Sequence, residues 1–450
     1  MSDMANLITY LAKKIIIAPP FSIEYDHRLF PSVIRKKIKA IDENIQQWAL
    51  AESDFFSEND WKDIQLKKLK NILVHAGENI PYWQKLFKKI NFNPKNFRDF
   101  EDLKKIPIIT RADIKKIPIE ELAAKNISRS RFVEVTTSGS TGEPLKLFQD
   151  ARDVFRRRIS TYETRRYMGF SIREKICMID LRLANGLKEL GLRIFPSDLE
   201  STELRRSKIY PLLTAYRPQI LLATSSYLER FLFFCQKEKF FLKVKAIVYI
   251  GESISADLRE HLEDFFSAKV FSAYGAREAS PLSIQCNKHG LHLAPWMNYL
   301  EIIAGEIIIT SLENEVMPFI RYQIGDGGKF SSGKCECGRQ TRLIQFEGRV
   351  LGNIKFSDGS AYPVSYAVNH FSSKYFSKIQ RFQIEQNNLA SIIIRYIPCG
   401  NLDCAQAEND LKKYFSDKFK NKIKVIFQKQ AYIFPNSAGK TPIFISNIQI

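Results

Sequence analysis

Cysteine is scarce in this chain. There are seven among 450 residues, an odd number: Cys177, Cys235, Cys286, Cys335, Cys337, Cys399 and Cys404. Such usage excludes a secreted scaffold held by disulfides. Acid is also in short supply. Asp and Glu total 49 against 68 Lys and Arg, a net charge of +19, which excludes a halophilic or acidic-tailed protein and favours anionic partners. No run approaches the roughly 18 to 20 apolar residues of a membrane span. The apolar stretch from Leu7 to Pro19 is broken by Lys13 and Lys14, and no small-residue cleavage site follows, so a secretory signal is not expected and the cytoplasm is the expected compartment. The segment from Ile15 to Phe21 reads as a packed N-terminal arm in preference to a membrane-surface segment. The chain has neither a G-x-x-x-x-G-K-[ST] nor a G-x-G-x-x-G loop, which excludes the two commonest phosphate-binding fingerprints. Internal repeats, low-complexity tracts and nucleic-acid-binding signatures are absent too, so no nucleic-acid partner is expected. With 45% apolar and 26% charged residues, the composition is that of a globular protein.

What is present changes along the chain. Residues 1–130 read as a charged helical lead-in; Trp61–Ala76, for example, places Ile64, Leu69, Ile72 and Leu73 near a 3.6-residue period. Thr110-Arg111-Ala112-Asp113 marks a turn into a short helix. From Phe132 onward strands and helices alternate. Helices are expected at Ala151–Gly169, Lys208–Tyr216, Tyr227–Lys237 and Ala256–Phe266, and strands at Lys175–Ile179, Gln219–Ala223, Ala246–Ile250 and Val270–Ser272. That alternation predicts an α/β fold with a mostly parallel sheet. After Leu291 the texture is β-rich. From about residue 350, strands at Phe382–Glu385, Ser391–Tyr396 and Lys422–Phe427 with a helix at Ala405–Phe419 form a small α+β module. The expected organisation is a large multi-layered domain over 1–347 and a small, mobile C-terminal domain over 348–450.

Residues 136–144, Thr-Thr-Ser-Gly-Ser-Thr-Gly-Glu-Pro, follow a strand and combine glycines with short hydroxyls. Such a loop presents backbone N–H groups and hydroxyl donors to phosphate oxygens without steric interference. Thr137–Pro144 resembles the S-G-T-T-G-K-P loop of adenylate-forming enzymes. Tyr274-Gly275-Ala276-Arg277-Glu278 resembles their Y-G-x-T-E motif, and Arg321-Tyr322-Gln323-Ile324-Gly325-Asp326 their R-Y-x-x-G-D motif. Gly348-Arg349 is similar to their interdomain hinge, and Ser437-Ala438-Gly439-Lys440 to their C-terminal S-x-G-K. Five motifs occur in family order between residues 137 and 440. The branch most resembled is the phenylacetate–CoA ligase-like group, with its CapK-type members.

The resemblance implies an acid ligase that forms an acyl-adenylate from ATP, Mg²⁺ and a carboxylic acid, then passes the acyl group to a thiol such as coenzyme A. By analogy Ser138, Gly139, Ser140, Thr141 and Gly142 hold the β- and γ-phosphates, and Tyr274 and Gly275 lie by the adenine. Glu278 coordinates Mg²⁺. Asp326 accepts from the ribose hydroxyls, and Gly251 and Glu252 lie before the adenine pocket. Arg349 contacts nucleotide or fixes the hinge, and Lys440 bridges the acid's carboxylate and the α-phosphate. Two positions depart from the pattern. Glu143 stands where the family has Lys, leaving Lys146 as the nearest cation in sequence. After Gly348-Arg349 no acid occurs before Asp358.

Cys286, His289 and His292 precede Cys335-Glu336-Cys337. Three thiols with either histidine make a four-ligand set suited to structural Zn²⁺, and the family resemblance supports a site there. The arginine-rich stretch Arg152, Arg156, Arg157, Arg158, Arg165 and Arg166 spreads around its predicted helix. It reads as a solvated face paired with Asp153 and Glu163; a docking patch for an acidic substrate, an acidic carrier protein or a membrane surface is the sharper alternative. Other readings are acyl transfer to an amine or hydroxyl acceptor, and a basic binding protein without catalysis. Thr224, Ser225, Ser226, Tyr227 and Tyr249 near the expected pocket hint at an aryl or hydroxylated acid. A homodimer is the candidate assembly.

Overall fold

The structure is a computed structural model that describes residues 2–18, 32–137, 145–171, 173–179, 191–252, 254, 256–349, 353–364, 379–398, 405–433 and 443–448. Among these the chain divides into a large unit that ends at Gly348 and a small unit that begins at Arg349.

The large unit is built on a seven-stranded sheet. Its order is Gly191–Ile194, Ile176–Ile179, Ile220–Ala223, Ala246–Ile250, Lys269–Tyr274, Ser283–Gln285, Leu291–Leu293. The first five strands are parallel and the last two antiparallel. Its central strands are short apolar runs such as Ile-Cys-Met-Ile and Ala-Ile-Val-Tyr-Ile, the pattern of strands covered on both faces. One face packs on Trp61, Phe155, Ile159 and Trp296, the other on Leu228, Phe231, Leu262 and Phe266. A four-stranded sheet (Asn298–Ile303, Glu306–Ser311, Tyr322–Phe330, Ile344–Arg349) forms a third layer with the lead-in residues Leu69, Leu73, Trp83 and Ile106. The small unit has a sheet ordered Lys424–Lys429, Ser391–Pro398, Ile379–Gln386, Phe444–Ser446, covered by the helix Ala405–Phe419 through Leu411, Phe415 and Phe419.

The expected helix at Lys208–Tyr216 begins earlier than its sequence suggests. A π-helical turn, Arg205–Ile209, feeds Tyr210–Tyr216. Pro211, which has no N–H to donate one turn back, sits at this junction.

The arginine-rich helix departs most from expectation. It runs over Ala151–Tyr167, capped by Asp150, whose carboxylate accepts from the Asp153 amide at 2.7 Å. Arg156, Asp153, Glu163 and Arg165 are all buried, so the solvated-face reading is corrected. The pairs to Asp153 and Glu163 do form, from Arg157 at 2.7 Å and Arg166 at 2.5 Å. The remaining partners are distant in sequence. Arg152 reaches Glu313 at 3.0 Å and also Glu315. Arg158 pairs with Glu43, and Arg166 with Asp54. Arg156 pairs with Glu313, bonds Gln46, and donates to the carbonyls of Ile16 and Ala18 that end the helix Ser2–Ile17. The N-terminal arm is thus packed as far as Ala18; residues 19–31 lie outside the described part. These arginines are committed inside the fold, which removes the argument for a docking patch there.

Glu313 is fully buried among Lys68, Arg152 and Arg156. Burial alone would raise its carboxyl, but the three cations override it and hold it at about 2. Burial, with Arg156 and Arg152 nearby, lowers the Lys68 ammonium. Removing the carboxylate leaves Lys68 and Arg156 buried without it, so Glu313→Gln should cost about 3–5 kcal/mol of stability, read as a fall in the urea midpoint. The native carboxyl lies below its ordinary 4.5. Its contribution is therefore complete above that pH and is lost as pH falls toward about 2. The acid limb of the unfolding curve should flatten in the variant.

Candidate active site

The motif residues gather at the carboxyl edge of the parallel strands. Ile220–Ala223 runs into Thr224, Ala246–Ile250 into Gly251-Glu252, and Lys269–Tyr274 into Gly275. These strands are neighbours in one sheet, so three sequence-distant segments end side by side at the edge where open α/β sheets bind ligands. Gly251 takes φ +71, a left-handed conformation favoured by glycine at this turn. Its neighbour Glu252 accepts from the Ser225 hydroxyl at 3.0 Å and the Ser226 amide at 2.9 Å, placing a carboxylate on the N-terminus of the helix Ser225–Glu238. Thr224, Ser225, Ser226 and Tyr227 are buried here; the Thr224 hydroxyl has no hydrogen-bond partner among the described residues. Gly275 is tightly enclosed: a Cβ there would lie 2.7 Å from the Ser280 hydroxyl.

Asp326, in the strand Tyr322–Phe330, is buried and accepts from the Tyr274 hydroxyl at 2.8 Å. The structure thereby joins two motifs that lie 52 residues apart. The Tyr274 ring packs on Phe346, with ring centres 4.1 Å apart.

Glu278 is mostly buried. Its Oε1 lies 3.5 Å from the Tyr322 hydroxyl and 3.7 Å from Nη1 of Arg111. Nη2 of the same guanidinium donates to Thr137 Oγ1 at 2.9 Å. Burial, and then the nearby Glu278 carboxylate, raise the Tyr322 phenol above its ordinary range. Thr137 and Leu145 close the neck of the Gly/Ser/Thr loop: the Thr137 amide donates to the Leu145 carbonyl, and the Leu145 amide to Thr137 Oγ1, both at 2.9 Å. The loop itself, with Ser138, Gly139, Ser140, Thr141 and Gly142, lies outside the described residues, as does Lys440. Gly348 and Arg349 end the strand Ile344–Arg349. Lys146 pairs with Glu134 at 3.2 Å across the hairpin's exposed side. Arg111 lies outside every motif, and Thr137 and Tyr322 lie within motifs that gave them no role; their convergence depends on segments far apart in the chain.

Arg321 explains how Arg111 is held. It is buried, with a bidentate pair to Glu301 (3.1 Å for both contacts) and bonds to the carbonyls of Lys104 and Ile106 at 3.0 and 2.5 Å. Its own carbonyl accepts from the Ile109 amide, and Ile109 accepts in turn from Gln323. The next residue, Thr110, caps the helix Arg111–Lys116 through a reciprocal bond with Asp113. The motif arginine thus docks the lead-in onto the strand that carries Tyr322 and Asp326.

A second cluster lies in the same unit. Cys286, His292, Cys335 and Cys337 bring their ligand atoms within 4.8 Å of one another. Cys286 and Cys335 sulfurs are 3.5 Å apart, and Cys337 Sγ is 3.2 Å from His292 Nε2. A tetrahedron with Zn–S bonds of about 2.3 Å has sulfur–sulfur edges of roughly 3.8 Å, so the donors fit in number, type and spacing. The other His292 nitrogen faces the Thr341 hydroxyl at 2.9 Å and its carbonyl at 3.3 Å. A carbonyl can only accept, so Nδ1 carries the hydrogen and Nε2 presents its lone pair to the thiols. Burial lowers His292 to about 4, which keeps the ring neutral. Burial opposes ionisation of Cys337, but bonds from Arg339 hold its thiol below the ordinary value. Gly290 is required: a Cβ there would sit 2.6 Å from Cys335 Sγ. Of the two candidate histidines, His292 belongs to the cluster. His289, at a turn with φ +62, stacks on Phe271 instead.

This sheet, site and small α+β unit define a class, that of the adenylate-forming CoA ligase fold. Solved structures of 2-hydroxyisobutyryl-CoA ligase align over 95% of both chains at a TM-score of 0.70 and 17% identity in the postadenylation state. In the thioesterification state with coenzyme A the alignment reaches 0.60 and 18%, over 95% of this chain and 96% of that one. In sequence the chain resembles phenylacetate–coenzyme A ligases and CapK. It is 24% identical to the Escherichia coli phenylacetate-coenzyme A ligase over 79% of this chain and 84% of that protein. The Thermus thermophilus enzyme of the same name is likewise 24% identical, over 67% and 73%. Protein CapK of Staphylococcus aureus is 20% identical over 87% and 90%. No family model matches the chain.

Replacing Arg321 with Met should leave Glu301 unpaired and release the lead-in carbonyls, at about 3–5 kcal/mol of stability. Hydrogen exchange should report the loss first at Ile109 and Gln323.

Proposed function

We propose that this chain is an AMP-forming acid ligase: it activates a carboxylic acid as acyl-AMP, releasing pyrophosphate from ATP, and transfers the acyl group to coenzyme A. The observation that carries this reading is the convergence of Tyr274, Asp326 and Glu278 with the neck of the Gly/Ser/Thr loop at one edge of the parallel sheet. Asp326, anchored by Tyr274, accepts from the ribose hydroxyls. Gly251, Glu252 and Gly275 shape the adenine side, with the Tyr274 ring as its platform. The loop amides and hydroxyls of Ser138, Gly139, Ser140, Thr141 and Gly142 wrap the β- and γ-phosphates. Glu278 supplies the hard oxygen suited to Mg²⁺, which when bound offsets phosphate charge. Lys440 of the small domain places its ammonium between acid and α-phosphate, and Arg349 acts at the hinge. Residues 348–450 are proposed to move between the two half-reactions. The acid is proposed to be aryl or hydroxylated. Both kinds occur among the names of similar proteins, and the buried hydroxyls at Thr224–Ser226 line that edge.

Zn²⁺ is proposed as a structural ion held by Cys286, His292, Cys335 and Cys337. With four protein ligands the site would be closed, tying the turn around Gly290 to the Cys335–Cys337 loop. We also propose that the protein works in the cytoplasm. No helix among the described residues is long and apolar enough to cross a membrane, and Cys177, Cys235, Cys286, Cys335 and Cys337 are free thiols.

Pyrophosphate release should be measured with ATP, Mg²⁺ and a panel of aryl and hydroxylated acids, with and without coenzyme A. Release with at least one acid is expected; Lys440→Ala should lower it roughly 10²- to 10³-fold while retaining ATP binding. Absence of both release and ATP binding would refute the reading. Metal analysis of protein purified without chelator should find close to one zinc per chain, and Gly290→Ala or Cys335→Ser should lower that content and the melting temperature together.

A further inference from the structure

We propose that the amino edge of the parallel sheet carries a second anion site, a groove that takes a small ligand bearing two or more linked phosphate groups. It lies within the large unit, at the strand ends opposite to those that Gly251 and Gly275 follow. It stands apart from the adenylation reading and uses none of its residues.

The observation is a set of cations without counter-ions. An open groove of about 860 Å³ has Lys175, Arg206 and Arg217 in its lining, beside Tyr210, Pro211 and Thr214, and no acidic residue lines it. All three cations are exposed, and among the described residues none of them pairs with a carboxylate. Three acids of the surrounding elements are committed to other cations: Glu174 to Lys245 at 2.8 Å, Asp198 to Lys208 at 3.1 Å and Glu238 to Arg205 at 2.7 Å. Three like charges facing one concave surface repel one another, and an anion bound between them removes that repulsion.

The backbone that presents these cations is irregular in two places. Arg205–Ile209 is a π-helical turn, a geometry frequent at functional sites. Its first residue, Arg205, is buried against Glu238 and the Leu199 carbonyl, while its neighbour Arg206 stays exposed on the groove. Arg217 ends the helix Tyr210–Tyr216 at φ +52 and ψ +65, a left-handed position that glycine adopts most easily. Holding an arginine there is unfavourable for the backbone, which points to a use for the side chain. Lys175 is fixed to the same segment. Its amide donates to Gln219 Oε1 at 2.6 Å and its ammonium to the Tyr216 carbonyl at 3.2 Å. Two guanidinium forks and one ammonium suit phosphate oxygens. A phosphate group brings more charge and more acceptor oxygens than a carboxylate does, so two linked groups balance three cations in a small span. The volume is that of a small-molecule site, about 300–1,000 Å³.

The test uses the full chain and sodium tripolyphosphate as probe, titrated by calorimetry at low salt. Wild type should bind it, and saturation should slow hydrogen exchange at the Arg217 and Gln219 amides. Loss of one charged contact should weaken that binding by roughly 10- to 100-fold in Arg206→Ala and in Arg217→Gly. Arg217→Gly also separates ligand from structure: it relieves the left-handed backbone, so the melting temperature should hold or rise while affinity falls. A paired control, Lys67→Ala with Lys70→Ala, removes two exposed charges away from the groove and should bind as wild type. Absence of binding by wild type overturns the proposal, as does wild-type affinity in both groove variants, which places the anion elsewhere. An equal loss in the paired control marks a non-specific charge effect and overturns it too. So does a fall in melting temperature with Arg217→Gly, which makes that arginine structural. Hexaglutamate binding as tightly as tripolyphosphate would replace the phosphate ligand by an acidic peptide.

Discussion

A single buried carboxylate organises the large unit. Glu313 lies between Lys68 of the helix Glu58–Asn79 and Arg152 and Arg156 of the helix Ala151–Tyr167. It belongs to the turn after the strand Glu306–Ser311, so one side chain holds the lead-in, the first helix after the loop and the second sheet in register. A charge so placed is costly, and the attraction of three cations offsets the desolvation only because the geometry is fixed from several directions. Arg156 extends the same link to Gln46 and to the end of the helix Ser2–Ile17. The loop hairpin is tied in as well: Asp150 accepts from the Glu315 amide, and Asn314 donates to the Phe148 carbonyl. The neck of the loop therefore inherits its position from a salt-bridge core.

The same device recurs at Arg321. There the buried cation holds Glu301 and two lead-in carbonyls, and its backbone sets the strand from which Tyr322 and Asp326 project. Burying ion pairs of this kind adds little net stability compared with apolar packing. What it supplies is orientation, because a charge-assisted bond is lost quickly with angle. A site in which Tyr274 must meet Asp326, and Arg111 must meet Thr137 and Glu278, gains from such stiff connections. The short central strands give position along the sheet; the buried charges give position across the layers.

The parts legible in the sequence were those carried by local pattern. Apolar four- and five-residue runs separated by amphipathic helices announced the parallel sheet, and Ala405–Phe419 came out with the bounds expected of it. The residues of the Y-G and R-Y-x-x-G-D motifs could be named because each motif spans six residues or fewer. The arginine-rich helix was misread for the opposite reason. Its charges point all round the helix, a pattern normally solvated, and the partners that bury it (Gln46, Glu43, Asp54, Glu313) lie more than 100 residues away. No spacing rule reaches that far. The choice between His289 and His292 was closed to sequence too. It turns on a left-handed residue at 289 and on Thr341 behind the ring, neither visible in the cysteine spacing.

The charge of +19 acquires a different meaning in this light. The densest cluster of positive residues is spent inward, on carboxylates and carbonyls, so it says little about what the surface attracts. The cations that matter for an anionic substrate are few, and they are recognised by what they are held against. Arg111 sits against Glu278, a carboxylate that keeps some exposure; Arg152 and Arg156 sit against one that nothing outside the fold can reach. Accessibility of the counter-ion, more than the number of arginines, separates a binding charge from a structural one.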